Sequence, residues 1–249
     1  MRVLAVIPAR YASTRFPAKP LALLGGKPIV QWVYEAVAKA VERVVVATDD
    51  QRIYDAVVAF GGEAVMTSTE HQSGTDRCAE AFEKCGYEAD IVVNVQGDEP
   101  FIAPEQIATL LQCFENEAVE IATLAREFKA EEGIEALENP NSPKVVISPK
   151  GEAVYFSRSV VPYLRDVERS EWLEHHTFYK HVGIYAFRTA TLGEITRLPL
   201  SPMERAERLE QLRWLENGYK IGVGITDVEN VGIDTPDDLQ RAEILIKSL

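Results

Sequence analysis

The chain has 249 residues and a formal net charge of −13, and hydrophobic residues make up 46% of it. This composition supports a sizeable core and excludes an intrinsically disordered chain. The excess of acidic residues argues against general nucleic-acid binding, because an anionic surface repels the phosphate backbone. The chain contains no stretch of 18 apolar residues, the length that a membrane-spanning helix needs, so membrane association is not expected.

The cellular compartment is indicated by the N-terminus and the cysteines. The first residues form a short apolar run without the long apolar region and cleavage site of a signal peptide. Cys78, Cys85 and Cys113 form no CxxC pair, so neither a disulfide framework nor a zinc site is indicated. We therefore expect a soluble cytoplasmic protein with free thiols.

Strands and helices alternate in the first half of the chain. Continuous apolar runs indicate buried strands, and apolar residues at helical spacing indicate helices. The predicted elements in chain order are strand 2–9, helix 28–40, strand 43–48, helix 50–60, strand 63–66, helix 75–85, strand 91–95 and helix 104–117. Such alternation predicts an α/β fold with a doubly wound, mostly parallel sheet and helices on both faces.

The second half is less regular. Its predicted elements are strands 121–127, 144–148, 153–157, 181–187 and 220–225, and helices 202–217 and 236–248. No internal repeat or linker separates the two halves. We therefore predict a single domain over residues 1–249, with a strand-rich excursion at about 121–187.

A basic loop follows the first predicted strand. Residues 1–34 contain five Lys or Arg and no acidic residue, so the other 215 residues carry a net charge of −18. The loop that follows the carboxyl end of the strand contains Arg10, Arg15 and Lys19. Open α/β sheets bind ligands at this end of their strands. Arg and Lys bind phosphate oxygens, which predicts a nucleoside triphosphate as ligand. A solvated basic turn is the alternative.

The composition of this loop excludes two common phosphate-binding motifs. Neither GxxxxGK[ST] nor GxGxxG is present, so a P-loop ATPase and a dinucleotide dehydrogenase are disfavoured. The small residues Ala12 and Ser13 would instead let backbone N–H groups approach phosphate oxygens.

Two acidic residues are candidate magnesium ligands. Asp98 lies in Gln96–Pro100 after a buried strand, and the carboxyl end of that strand should face the same crevice as the basic loop. Triphosphate chemistry uses Mg²⁺ held by one or two carboxylates and by phosphate oxygens. Asp234 precedes the last helix and would complete the pair. Turn chemistry at Asp98 and capping of the helix by Asp234 or Thr235 are the structural alternatives.

Other polar residues could bind the rest of a nucleotide or a second substrate. Ser73, Gly74 and Arg77 begin a predicted helix, and they could cap it or contact a base edge. His181 and Tyr185 share one face of a predicted strand. Each of these residues has an ordinary structural alternative.

The ordered motifs resemble one enzyme family along the whole chain. PARYASTRFPAKPL, HQSGTDR, VNVQGDEPFI, PKVV, YFSRS, KHVGIYAF, LEQLRWLENG and GIDTPDDL occur in the order found in the 3-deoxy-D-manno-octulosonate (KDO) cytidylyltransferases. The first motif is shared with related sialic-acid activating enzymes, whereas the YFSRS, HVGIYAF and LEQLR set is more specific. The resemblance implies that CTP and an eight-carbon acidic sugar give the CMP-sugar and pyrophosphate, with Mg²⁺.

The resemblance also implies an architecture and a cellular role. It implies a Rossmann-like sheet of the nucleotide-diphospho-sugar transferase type and a homodimer formed partly through the strand-rich excursion. The product would supply lipopolysaccharide synthesis in the cytoplasm.

The resemblance assigns roles to named residues. The implied catalytic residues are Arg10, Lys19, Asp98 and Asp234, the two Asp also binding the metal. The implied nucleotide-binding residues are Arg10, Ser13, Arg15, Lys19, Ser73, Gly74 and Arg77. The implied sugar-binding residues are Gln96, Arg158, His181, Tyr185, Glu210 and Gln211.

Two other functions remain open at this point. The same chemistry could activate a related acidic sugar, either 8-amino-KDO or sialic acid. A non-catalytic nucleotide-binding module is a second alternative, although a sensor does not need a two-carboxylate metal site.

Overall fold

The structure is a computed structural model that describes residues 1–12, 16–229 and 231–246. The strands are β1 (Val3–Ala9), β2 (Leu23–Leu24), β3 (Lys27–Pro28), β4 (Arg43–Thr48), β5 (Glu63–Met66), β6 (Ile91–Asn94), β7 (Ile121–Glu127), β8 (Lys144–Ile147), β9 (Ala153–Ser157), β10 (Tyr179–Arg188) and β11 (Ile221–Ile225). The helices are α1 (Ile29–Val37), α2 (Gln51–Ala59), α3 (Gly74–Cys85), α4 (Pro104–Gln112), α5 (Gly133–Glu138), α6 (Trp172–His175), α7 (Thr189–Ile195), α8 (Pro202–Glu207), α9 (Gln211–Glu216) and α10 (Pro236–Ile246).

Short 3₁₀ helices add to these elements. They span Lys19–Leu21, Cys113–Glu115, Ala130–Glu132 and Arg169–Glu171. None of the helices within the described residues is long and apolar enough to cross a membrane.

The chain divides into two compact units. The first contains residues 1–108, 186–196 and 230–249, and the second contains residues 109–185 and 197–229. The strand-rich excursion predicted at about 121–187 falls mostly in the second unit. The single domain over residues 1–249 stays a prediction, since two compact units can belong to one domain.

The first unit contains a parallel sheet in the order β6-β1-β4-β5. The continuous apolar runs explain its centre, because a strand covered on both faces has no polar side. Leu4 to Ile7 of β1 and Val44 to Ala47 of β4 are each at most 4% exposed. Parallel registers, such as Val6 opposite both Val45 and Asn94, bring the carboxyl ends of β1, β4 and β6 to one edge.

Helix starts and ends in this unit follow from local sequence. Asp50 caps α2 by accepting a hydrogen bond from the N–H of Arg52. Ser73 and Asp76 form a reciprocal capping box at the start of α3, and Gly86 in the left-handed conformation ends that helix. Because these caps satisfy the exposed N–H and C=O groups, the predicted positions of α2 and α3 are confirmed to within one residue, whereas α1 and α4 end three and five residues earlier than predicted.

The second unit contains parallel and antiparallel pairs. Strand β11 pairs in parallel with β7, whereas β8 pairs antiparallel with β9 and with β10. The α/β fold with a mixed, mostly parallel sheet is therefore confirmed. Helices α5 and α6 have only six and four residues, too short for the periodicity on which the sequence prediction depended.

The predicted helix at 202–217 is wrong as a single helix. Helices α8 and α9 are separated at Arg208, whose backbone is left-handed with φ of 55°. The Arg158 side chain donates hydrogen bonds from Nε to the carbonyl of Glu207 at 2.6 Å and from Nη2 to that of Arg208 at 3.3 Å. Since these carbonyl groups are bonded outside the helix, the bend is stabilised by a residue 50 positions away in sequence.

Helix α2 provides a direct test of this packing. Ile53 is fully buried, whereas Val58 on the same helix is 53% exposed. We expect Ile53→Ala to lower the free energy of unfolding by about 2–5 kcal/mol, because it leaves a cavity in a closely packed core. Val58→Ala is the matched control and should change it by no more than about 0.5 kcal/mol. Equal losses in chemical denaturation would contradict the assignment of the buried face.

Candidate functional site

A cavity of about 310 Å³ lies at the carboxyl edge of the first unit's sheet. The basic loop, the N-terminus of α3, the loop after β6 and the segment before α10 form its walls. The lining residues are Pro8, Ala9, Arg10, Lys19, Pro20, His71, Gln72, Ser73, Gly74, Arg77, Gln96, Gly97, Asp98 and Asp234. Eight residues predicted as site residues from the sequence therefore meet around one cavity.

The ammonium group of Lys19 bridges two carboxylates in this cavity. Its Nζ donates to Oδ2 of Asp98 at 2.5 Å and to Oδ1 of Asp234 at 3.1 Å. The Lys19 side chain is 13% exposed, and those of Asp98 and Asp234 are 28% and 46% exposed. The structure thus confirms that Asp98 and Asp234 converge, and it shows a cation already between them.

The backbone of Lys19 is fixed by a tight turn. Ala18 is left-handed with φ of 58°, and its N–H donates to the carbonyl of Tyr11 at 3.0 Å, which closes the loop. The Tyr11 ring lies under the guanidinium of Arg52 at 3.4 Å, and Arg52 in turn pairs with Asp50 at the start of α2. This cation–π contact attaches the basic loop to helix α2.

Two of the predicted nucleotide-binding residues of the basic loop, Ser13 and Arg15, lie outside the described residues. Arg10 is exposed and lines the cavity.

Asp98 is positioned by a close approach between two loops. A Cβ atom on Gly97 would lie 2.7 Å from the carbonyl oxygen of Pro8, a distance that only glycine avoids. The N–H of Ile233 donates to the carbonyl of Asp98 at 2.9 Å and so attaches the segment before α10 to the same loop.

The N-terminus of α10 resolves one alternative for Asp234. Thr235 and Asp238 cap this helix end reciprocally. The N–H of Asp238 donates to Oγ1 of Thr235 at 3.2 Å, and the N–H of Thr235 donates to Oδ2 of Asp238 at 2.8 Å. The N–H of Asp234 also donates to Asp238, at 3.1 Å. Thr235 therefore caps the helix, and the Asp234 carboxylate faces Lys19.

The N-terminus of α3 forms the opposite wall. Ser73 is its cap, as one sequence alternative proposed, and Gly74 lies at its first turn. Arg77 is 4% exposed and donates from Nη1 to Thr67 at 2.5 Å and from Nη2 to Asp49 at 2.7 Å. These three residues line the cavity, while their contact with a nucleotide stays a prediction.

His71 is a cavity residue that the sequence assignment did not include. Its Nε2 lies 2.5 Å from Oε2 of Glu80, which also accepts a hydrogen bond from the N–H of Ser68 at 2.7 Å. Burial alone would raise the pKa of Glu80, but the hydrogen bonds of Lys84, Ser68 and His71 lower it to about 2. The i, i+9 spacing of His71 and Glu80 matches neither helix nor strand periodicity, so no sequence signal predicts this pair.

Five of the predicted sugar-binding residues lie in the second unit. Arg158 uses its guanidinium for backbone carbonyl groups, including that of Pro140 at 2.8 Å, and its own N–H donates to Glu207 at 2.9 Å. It therefore supports the bend between α8 and α9, at whose end Glu210 and Gln211 lie.

His181 and Tyr185 form an aromatic cluster. Their ring centroids are 5.4 Å apart, and Phe156 and Trp214 pack edge-on against His181 and Tyr185 respectively. Thr123 Oγ1 lies 3.0 Å from His181 Nε2 and 2.8 Å from the carbonyl of Ile184. A hydroxyl has only one hydrogen. If Thr123 donates it to the carbonyl of Ile184, its oxygen accepts a hydrogen bond from the N–H at Nε2 of the neutral His181 ring.

The charge state of this cluster is set by burial. Burial lowers the pKa of His181 from 6.5 to about 3, and it raises the pKa of Tyr185 well above 10, with a further increase from Glu210. Both side chains are therefore neutral at pH 7. Among the described residues, Nε2 of Gln211 is a buried donor without a hydrogen-bond partner, and Gln211 is only 4% exposed.

The fold and the cavity beside Lys19 define a nucleotide-binding α/β protein, since cations and carboxylates meet there at the carboxyl ends of parallel strands. The sequence matches the cytidylyltransferase family over residues 4–221. The 3-deoxy-manno-octulosonate cytidylyltransferases of Phocaeicola vulgatus and Bacteroides thetaiotaomicron are 60% and 59% identical to it, over 99% and 100% of this chain and 98% and 99% of theirs.

A solved structure supports the same grouping. CMP:2-keto-3-deoxy-manno-octonic acid synthetase complexed with CTP superposes with a TM-score of 0.91 at 43% identity, covering 100% of this chain and 99% of that one. The chain belongs to the cytidylyltransferase family, and within it to the 3-deoxy-manno-octulosonate cytidylyltransferases.

The neutral state of His181 predicts a loss of stability in acid. The unfolded chain takes up this proton near pH 6.5, whereas the folded protein does so only near pH 3, so stability falls as pH drops below about 6.5. We expect His181→Gln to show a smaller fall in the free energy of unfolding between pH 7.5 and pH 5 than the unaltered protein, measured by guanidinium denaturation. His175, 55% exposed, is the control, and His175→Gln should keep the original fall. An identical fall in all three proteins would disprove the buried neutral imidazole.

Proposed function

We propose that the protein transfers the cytidylyl group of CTP to KDO, which gives CMP-KDO and pyrophosphate. The observation that carries this proposal is the cavity in which Arg10, Lys19, Asp98 and Asp234 meet, because triphosphate chemistry needs cations and carboxylates at one place. The named relatives favour KDO over 8-amino-KDO and sialic acid as the acceptor.

The triphosphate would be held by charge and by backbone N–H groups. Arg10 offers a forked donor and Lys19 a point charge, and Ser13 and Arg15 of the same loop would add donors. The start of α3, at Ser73 and Gly74, borders the cavity, and the N-terminus of a helix attracts phosphate groups. Arg77 is fixed by Asp49 and Thr67 and would border the nucleoside.

The reaction is an in-line displacement at phosphorus. The anomeric oxygen of the sugar forms a bond to the α-phosphorus of CTP, the bond from that phosphorus to the oxygen bridging the α- and β-phosphates breaks, pyrophosphate leaves with that oxygen, and the hydroxyl proton passes to solvent. Arg10 and Lys19 would orient the phosphates and stabilise the negative charge that develops on pyrophosphate.

We propose Asp98 and Asp234 as the ligands of a magnesium ion. Their carboxylate oxygens already converge on one cation, and hard oxygen donors are those that Mg²⁺ accepts. Bound there with phosphate oxygens, Mg²⁺ would neutralise phosphate charge and favour ionisation of the sugar hydroxyl.

The sugar would be bound by neutral and amide groups. A neutral His181, the Tyr185 hydroxyl and the unpartnered Nε2 of Gln211 suit the many hydroxyl groups of an eight-carbon sugar better than its carboxylate. Glu210 would accept a hydrogen bond from a sugar hydroxyl. Gln96, which lines the cavity beside Lys19, would add amide hydrogen bonds to the sugar. The bonds of Arg158 to backbone carbonyl groups support a role in positioning Glu210 and Gln211.

The cellular setting follows from the same proposal. A CMP-activated acidic sugar made in the cytoplasm would supply lipopolysaccharide synthesis. We propose a homodimer formed through the strand-rich excursion, where Val154 and Tyr163 are 58% and 76% exposed. Light scattering on the purified protein tests this assembly.

The proposed reaction is tested by pyrophosphate release. We expect release from CTP with KDO, and markedly slower release with 8-amino-KDO or sialic acid under the same conditions. Comparable or faster release with another sugar would change the acceptor. CTP binding without release with any sugar would favour the non-catalytic module.

The proposed role of Asp98 predicts a catalytic loss without loss of the fold. We expect Asp98→Asn to lower turnover by at least about 10²-fold, the scale of removing one preorganised electrostatic group. Asp55→Asn, an equivalent change at an exposed residue of α2, should leave turnover unchanged. Near-normal turnover of Asp98→Asn at saturating Mg²⁺ would refute the metal assignment.

A further inference from the structure

The Lys19 ammonium occupies the space between the two proposed magnesium ligands. Its Nζ lies 2.5 Å from an oxygen of Asp98 and 3.1 Å from an oxygen of Asp234. A magnesium ion held by the same two oxygens would lie about 2.0–2.1 Å from each. The ammonium and the ion would therefore overlap, and their positive charges would repel at this distance.

We propose that Lys19 acts as a resident counter-ion that keeps divalent cations away from Asp98 and Asp234 until a triphosphate draws its ammonium away. The inference rests on the proposed magnesium site and adds a condition for its formation. Lys19 then has two successive positions, one on the carboxylates of the nucleotide-free protein and one on the phosphates.

The backbones of the two aspartates are held in place without Lys19. Asp98 is fixed through its carbonyl, which accepts from the N–H of Ile233 at 2.9 Å, and the Asp234 backbone is fixed by Asp238 at 3.1 Å. Removal of the ammonium therefore leaves the two loops in place, with both carboxylates attached at neighbouring positions. Such a pair is a divalent-cation site with two of its ligands in position.

The Lys19 side chain can move while its backbone remains fixed. Its carbonyl accepts from the N–H of Ala22 at 3.0 Å, and its own N–H donates to the carbonyl of Phe16 at 3.3 Å. The four-carbon side chain reaches another position by changes of rotamer alone. The exchange therefore needs no rearrangement of the short 3₁₀ helix.

A triphosphate supplies both halves of the exchange. Its charged oxygens attract the ammonium, and they also complete the oxygen ligands of the metal that takes the vacated position. Nucleotide and metal consequently strengthen each other's binding, because each favours the arrangement in which Lys19 has left the carboxylates. The metal alone must compete with a covalently tethered cation.

The test measures Mn²⁺ binding to the nucleotide-free protein by electron paramagnetic resonance. We expect Lys19→Met to bind one Mn²⁺ at least about tenfold more tightly than the unaltered protein, a difference of about 1.4 kcal/mol. The double variant Lys19→Met/Asp98→Asn should lose that tight binding. Lys27→Met removes an equal charge from a lysine that pairs with Glu35 at 2.8 Å, and it should bind Mn²⁺ as the unaltered protein does.

The outcomes separate this inference from the proposed metal site. Equal, Asp98-dependent Mn²⁺ affinity with and without Lys19 would overturn the counter-ion role and leave the metal site standing. No Asp98-dependent binding in nucleotide-free Lys19→Met would overturn the counter-ion role, and no Asp98-dependent binding of Mn²⁺ in the presence of CTP would overturn the metal site. Circular dichroism checks folding, and Lys19→Gln, which keeps a hydrogen-bond donor, replaces Lys19→Met if that variant does not fold.

Discussion

The contact of one ammonium group with two carboxylates is the interaction on which the first unit's site depends. Asp98 and Asp234 lie 79 and 215 positions from Lys19 in sequence, and each of the three residues comes from a different segment. Adjacent parallel strands bring the first two together, because β1 and β6 end at the same edge of the sheet. The hydrogen bond from Ile233 to Asp98 then brings the third to the same point.

The chemistry of the second unit is different. Desolvation keeps His181 and Tyr185 neutral, and Gln211 has a buried donor without a partner in the described part of the chain. Such groups would discriminate by hydrogen-bond geometry rather than by charge, as the proposed binding of a polyhydroxylated sugar requires. The proposed triphosphate site in the first unit would depend on charge instead.

The sequence predicted features that arise from short-range patterns. Apolar runs identified the buried strands, and the location of the basic loop after β1 indicated a ligand-binding edge. Features that depend on distant contacts were missed. The bend at Arg208 is stabilised by the distant Arg158 side chain, and the helical spacing of Leu209, Leu212 and Leu215 after it carries no sign of a break. The choice between Asp234 and Thr235 as the cap needed the geometry of Asp238.

The most direct measurement is the anomalous scattering of Mn²⁺ in crystals grown with and without CTP. With CTP, we expect a manganese peak bonded to both Asp98 and Asp234 and a Lys19 side chain turned to the phosphates. Without CTP, we expect no peak and a Lys19 ammonium between the carboxylates. A manganese site away from both carboxylates, or a Lys19 still bonded to both of them in the CTP complex, would contradict this expectation.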